Sequence, residues 1–111
     1  MSIKKILVCD DSKADRTNLE AIVSSAGCDV ISTSSGKDAV GKAVSEQPDL
    51  IFLDVIMPDM DGFETCRALQ KDPLTKSIPI IFVYIEGEED AERIHHSSIS
   101  LAVMLLLSML L

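Results

Sequence analysis

Three aspartates, Asp10, Asp11 and Asp54, hold most of the chemical potential of this sequence. Asp10 and Asp11 follow an apolar run that ends at Cys9, and Asp54 follows Leu50, Ile51, Phe52 and Leu53. Short apolar runs without alternation read as strands buried on both faces of a parallel sheet. A charge at the end of such a strand lies at the carboxyl edge of the sheet, where ligands bind at the point of strand-order reversal. If the two strands are neighbours, the carboxylates meet there. Like charges about 4 Å apart repel by about 4 kcal/mol at an effective dielectric near 20, so the cluster is strained without a cation. Mg²⁺ takes oxygen ligands, keeps several waters and typically uses one or two carboxylates, which leaves places for a phosphoryl oxygen. The remaining carboxylate is then free to be a nucleophile. Taken one at a time, Asp10 and Asp11 equally suit a helix N-terminus, and Asp54 a solvated strand end.

Other reactive residue types form no comparable set. Cys9, Cys28 and Cys66 are widely spaced among apolar neighbours with no C-x-x-C pair, and read as reduced core thiols. His95 and His96 are adjacent and far from any cysteine pair, which argues against zinc. Asp59, Asp61 and Gly62 have a faint likeness to a calcium loop, but Met57 stands where that pattern needs its first acid and no glutamate follows at the required spacing. Pro58 and Gly62 shape the loop after Asp54, Pro58 by fixing φ and Gly62 by permitting a left-handed turn.

The elements that must position the acids alternate along the chain. Residues 3–9 read as a strand. Ser12 caps a helix whose apolar face is Leu19, Ile22, Val23 and Ala26 and which ends at Gly27. Residues 29–33 form a short strand, Ser34, Ser35 and Gly36 a turn, and residues 37–47 a helix with Ala39, Val40, Ala43 and Val44 on one face, stopped by Pro48. The strand at 50–53 precedes a helix at 62–71 that packs Phe63, Cys66 and Leu69, and a fourth strand spans 78–83, opened by Pro79. Helical crossovers between strands require a parallel sheet with helices on both faces, an α/β doubly wound fold.

Length and charge restrict the function further. With 111 residues, 47% of them hydrophobic, the chain builds one core, so residues 1–111 are expected to be a single domain. A net charge of −8 without a Lys/Arg cluster excludes nucleic-acid recognition through a basic surface. Reduced thiols and an N-terminus without a secretory signal point to the cytoplasm.

The stretches ILVCDDS (residues 6–12), IFLDVIMPDMDGFE (51–64) and DPLTKSIPIIFV (72–83) together resemble the receiver domains of two-component response regulators, of the chemotaxis-receiver type. The resemblance covers residues 4–83, and its acid pair with D-x-x-M-P-x-x-D-G is specific. It implies a flavodoxin-like sheet of order 2-1-3-4-5. It further implies that Asp54 accepts a phosphoryl group from a histidine kinase or phosphotransfer protein. Asp10, Asp11 and Asp54 would hold Mg²⁺, with the backbone carbonyl of Ile56 completing the protein ligands. Such a domain is a phosphoacceptor that signals through a downstream protein, not a turnover enzyme.

The sequence departs from that pattern after Val83. Receivers place Ser or Thr at the end of the fourth strand and a Lys-Pro pair after the fifth; here Tyr84 and Ile85 stand at the first position and no lysine follows Lys76. Arg93 or a histidine on an expected fourth helix at 86–94 is the remaining substitute. The segment 97–111 is almost wholly apolar. As a helix, its residues 99–111 would span only about 20 Å of a roughly 30 Å hydrocarbon core, so a membrane anchor is disfavoured. Residues 101–106 suit a fifth strand, yet no amphipathic fifth helix follows, as in a receiver whose last fifth is replaced, truncated or frame-shifted. Two readings result: a stand-alone receiver in a phosphorelay, whose switch these departures weaken, or a receiver remnant acting as a phosphate-independent interaction module. A haloacid-dehalogenase-like phosphohydrolase ranks behind both, since it needs a second acid where this chain has Ile56.

Overall fold

The first three strands of this protein are each followed by a capped helix. A computed structural model describes residues 3–83. The order is β1 (Lys5–Cys9), α1 (Lys13–Ser25), β2 (Asp29–Thr33), α2 (Gly36–Glu46), β3 (Leu50–Asp54), α3 (Gly62–Lys71) and β4 (Ile80–Val83). The strands form one parallel sheet in the order β2-β1-β3-β4, which is the doubly wound arrangement expected, as far as the described residues run. Tyr84 and Ile85, the helix expected at 86–94 with Arg93, the pair His95 and His96, the segment 97–111 and the fifth strand lie outside the described residues.

Alternation along the strands divides the core between the two faces of the sheet. Ile6, Val8, Leu50 and Phe52 pack with Leu19 and Val23 of α1. Leu7, Cys9, Ile51 and Leu53 pack with Ala39 and Ala43 of α2 and Leu69 of α3. Both central strands are therefore apolar at every position between their ends, as a sheet covered on two sides requires. No helix among the described residues is long and apolar enough to cross a membrane.

All three described helices begin at the carboxyl edge of the sheet. Ser12, Ser35 and Asp61 cap them, accepting from the N–H groups of Asp15 (3.3 Å), Asp38 (3.2 Å) and Glu64 (2.8 Å). Each cap satisfies an otherwise orphaned helix N–H. The positive ends of the helix dipoles thus face the side on which Asp10, Asp11 and Asp54 emerge.

Several boundaries and contacts differ from those expected. β1 starts at Lys5, because the N–H groups of Lys4 and Lys5 both donate to the Asp49 carboxylate, at 2.9 and 3.0 Å. Helix α2 starts at Gly36, since Ser35 is its cap, and ends at Glu46 with Gln47 in the left-handed region at φ 49°. β3 includes Asp54, which is registered against Val83. β4 starts at Ile80, because the Ile78 N–H turns back to Thr75 O at 3.0 Å. Phe63 is not a core residue: it is 50% exposed and its ring tilts against Phe82. Helix α3 buries Leu69 as expected and packs half-buried Cys66 against the same core, but its other buried residues are Gly62 and Thr65.

Gly62 also has a different purpose from the one expected. Its φ is not positive; within the loop the left-handed residue is Asp59, at φ 66°. Gly62 is needed for space, since a Cβ there would lie 2.4 Å from Asp54 O and 2.7 Å from Val55 Cα. Gly41, in the middle of α2, has nothing within 4 Å of such a Cβ. The same substitution should therefore act with opposite sign at the two positions. Gly62→Ala should destabilise by about 1–3 kcal/mol through overpacking, and Gly41→Ala should stabilise by about 0.5–1 kcal/mol through helix propensity. Urea-unfolding midpoints test this, and shifts of the same sign in both variants would contradict the packing described.

Candidate functional site

The adjacent parallel strands β1 and β3 bring the expected acids together. One carboxylate oxygen from each of Asp10, Asp11 and Asp54 lies within 4.8 Å of the other two. Asp10 and Asp54 are 1% and 8% exposed, whereas Asp11 faces solvent. The site is therefore a buried pair of acids with a third at its mouth.

Each buried acid commits one oxygen to the backbone that follows it. Ser12 N–H donates to Asp10 Oδ1 at 2.9 Å, and Ile56 N–H donates to Asp54 Oδ1 at 3.2 Å. These bonds across two residues are Asx-type turns. They start the path into α1 on one side and into the loop 55–61 on the other. Asp10 Oδ2 is buried with no hydrogen-bond partner among the described residues. Such an orphan costs free energy unless something supplies a positive charge or a donor.

The loop after Asp54 is held from both sides. Val55 N–H donates to Val83 O at 3.1 Å and Gly62 N–H to Val55 O at 2.9 Å. Val55 and Met57 are buried while Ile56 between them is 52% exposed. The Met57 sulfur lies 3.6 Å from the Cys9 thiol. Ile56, expected to contribute its backbone carbonyl, sits on the rim of the acid cluster through its N–H bond to Asp54.

Charge is poorly tolerated here without compensation. Burial, then the neighbouring Asp10 charge and a hydrogen bond shared with Asp10, push the Asp54 carboxyl up to about 8, against the opposing pull of the Ile56 N–H. Burial likewise raises Asp10. Two ionised carboxylates this close and this buried repel each other, so without a cation the pair favours holding a proton. Cys9 is pushed up to about 11, first by burial and then by Asp10, Asp54 and Asp11. It therefore stays a thiol at neutral pH, and the nucleophile available in the pocket is a carboxylate.

The donor set fits a hard divalent ion. All three side-chain donors are carboxylate oxygens, and among the described residues the buried Oδ2 lacks a partner and neither a soft ligand nor a histidine belongs to the cluster. A cation would replace that proton and leave the acids ionised.

Arg16 is a neighbour of the site that the sequence did not reveal. Its Nη1 donates to Asp10 O at 2.8 Å. A guanidinium bonded to a main-chain carbonyl six residues earlier leaves no periodic signature, so only the folded chain shows it. Met57 was also missed, because an apolar residue in a loop of mixed composition carries no sign of its burial.

Comparison with known proteins places this geometry in a family. The family model described as "Response regulator receiver domain" matches residues 6–103. Protein PilG of Pseudomonas aeruginosa is 39% identical over 79 residues, covering 71% of this chain and 58% of PilG. The chain thus spans less than two thirds of that relative's length. Among solved structures, the chemotaxis response regulator CheY4 of Vibrio cholerae superposes with a TM-score of 0.72 at 29% identity, covering 89% of this chain and 81% of that one. The receiver domain of the sensor histidine kinase PA1611 from Pseudomonas aeruginosa, solved with a magnesium ion coordinated in its active-site cleft, gives a TM-score of 0.72 at 25% identity, covering 83% of this chain and 75% of that one. The family match, the parallel sheet of order β2-β1-β3-β4 and the acid cluster at its carboxyl edge agree, and this chain belongs to the response regulator receiver domain family.

Proposed function

We propose that the chain is a phosphoacceptor in a phosphorelay, taking a phosphoryl group on Asp54 from a histidine kinase or phosphotransfer protein and signalling through a protein partner. The observation that carries this reading is the buried Asp54 carboxylate, held by the Ile56 N–H and facing a second buried acid whose Oδ2 lacks a partner. The metal in this reading is Mg²⁺, held by Asp10, Asp11, Asp54 and the backbone carbonyl of Ile56. The magnesium-bound receiver domain of PA1611 supports that assignment. Domain-level turnover of a small-molecule substrate is not part of the proposal.

The chemistry is a transfer between two covalent carriers. A phosphohistidine on the partner presents an electrophilic phosphorus. An oxygen of ionised Asp54 attacks in line, the P–N bond breaks with its electron pair returning to imidazole, and an acyl phosphate forms. The Ile56 N–H fixes the rotation of the Asp54 carboxylate, and Val55 and Met57, buried on either side of Ile56, hold the loop in place. When bound, Mg²⁺ supplies the positive charge that keeps the acids ionised and balances charge developing on the phosphoryl oxygens. Asp10 and Asp11 bring the remaining negative charge that retains such a cation.

The site predicts three outcomes. Asp54→Asn should abolish labelling by phosphoramidate; labelling that persists in that variant, or that maps to Asp10 or Asp11, would rule out the assignment. Millimolar Mg²⁺ should raise the stability of the unmutated chain by about 1–3 kcal/mol at roughly 10- to 100-fold above Kd, and Asp11→Ala should remove most of the gain. An unchanged melting curve would count against the site.

The third outcome concerns pH. In chelator, burial and the neighbouring Asp10 charge hold the Asp54 carboxyl up at about 8 in the native chain, whereas in the unfolded chain it returns to the ordinary carboxylate value of 3.8. The native state therefore binds more protons across that interval, and this contribution is complete below the lower value and lost as pH rises through the upper one. Urea unfolding in chelator should show stability falling across this window. Mg²⁺ should counter the fall, so its stabilisation should grow with pH. A gain independent of pH would show that the cation and the proton do not compete for one place.

A further inference from the structure

The geometry points to Arg16 as a positioning residue that orients the Asp10–Asp11 peptide and so sets both acids that follow β1 for their cation. This inference rests on the metal reading above and extends it to a residue outside the ligand set.

Asp10 is held at three of its four polar atoms. Its N–H donates to Thr33 O at 3.2 Å, its Oδ1 accepts from Ser12 N–H at 2.9 Å, and its carbonyl accepts from Arg16 Nη1 at 2.8 Å. The remaining atom is Oδ2, buried in the cluster without a partner. The peptide plane that carries the Asp10 carbonyl also carries the Asp11 N–H. Fixing that carbonyl therefore limits where both side chains leave the main chain.

The guanidinium is itself restrained from the far side. Arg16 Nε lies 3.8 Å from Glu20 Oε2, with the two side chains only 19% and 32% exposed. The same Glu20 oxygen accepts from Ser32 Oγ at 2.6 Å. Ser32 belongs to β2 and is registered against Val8 of β1. The path Ser32, Glu20, Arg16, Asp10 therefore starts on the sheet, crosses α1 and returns to the site. A fork with donors on two edges can serve the carboxylate and the carbonyl together, which a lysine cannot do with the same geometry.

Coulomb's law and positioning make opposite predictions here. A cation beside a carboxylate cluster opposes entry of a second cation, so removing the Arg16 charge should tighten Mg²⁺ binding if charge were its only effect. If Arg16 positions the ligands, removal should weaken binding despite the lost repulsion. Partners that orient metal ligands commonly alter affinity by about 10- to 100-fold when removed.

The test is calorimetric titration of Mg²⁺ into the full chain, carried out on the unmutated protein, Arg16→Gln, Arg16→Lys and Lys5→Gln, each first confirmed folded by circular dichroism. Lys5→Gln removes the same charge from the opposite end of β1, where the ammonium bonds Glu46 O at 3.0 Å. Arg16→Gln should weaken Mg²⁺ about tenfold, Arg16→Lys should recover part of the loss, and Lys5→Gln should bind as tightly as the parent or tighter. Equal or tighter binding by Arg16→Gln, or equal weakening by Lys5→Gln, overturns the inference. Amide exchange in chelator gives a readout without metal: the Ser12 N–H should exchange severalfold faster in Arg16→Gln, with the Lys5 N–H unchanged. A parent chain that binds no Mg²⁺ would overturn the metal reading, and the Ser12 exchange rate would then decide the role of Arg16 by itself.

Discussion

Negative charge held out of water is the constraint on which this molecule depends. Asp10 and Asp54 are almost fully buried at the ends of adjacent parallel strands, with Asp11 beside them. Burial penalises each charge and proximity penalises the pair, so the cluster persists only with a proton or a cation inside it. The two compensate the same repulsion and exclude each other. Only the cation relieves the strain while leaving both carboxylates ionised, so that competition joins the stability of the fold to the phosphoacceptor role proposed for Asp54.

The surrounding structure reduces the penalty without removing it. Helices α1, α2 and α3 all start at the edge where the acids emerge, each with its first turn capped by a side chain. Main-chain N–H groups of Ser12 and Ile56 satisfy one oxygen of each buried acid. Gly62 brings the start of α3 against the Asp54 carbonyl, so the loop between them has little freedom. A second close approach supports the same end of the sheet, since a Cβ on Gly36 would meet Thr65 Oγ1. The N-termini of α2 and α3 are thereby packed together.

Much of this was legible in the sequence, for a physical reason: the strands are short apolar runs and the helices start at polar caps, both of which are local signals. The acids were legible because a charge at the end of a buried strand conflicts with its surroundings. What the sequence hid was rotation and distance. The spacing of Phe63, Cys66 and Leu69 suits a helix face, and Cys66 and Leu69 do pack on the core, but the backbone contact at Gly62 turns α3 so that Gly62 and Thr65 face inward and Phe63 meets Phe82 at the surface. Thr65 is accepted in the core because its hydroxyl donates to Asp61 O at 2.8 Å. Arg16 was hidden for a related reason, since a charged residue on a helix reads as solvated until its carbonyl partner is in view.

The central claim is that the three carboxylates form one site for a hard cation, and paramagnetic broadening by Mn²⁺, which shares the oxygen preference of Mg²⁺, tests it most directly. On titrating Mn²⁺ into isotope-labelled protein, the amide resonances of Asp10, Asp11, Ser12, Asp54, Val55 and Ile56 should broaden first and together, and excess Mg²⁺ should restore them. Sharp resonances at these positions, with broadening instead around exposed acids such as Asp29, Asp38 and Glu46, would contradict the account.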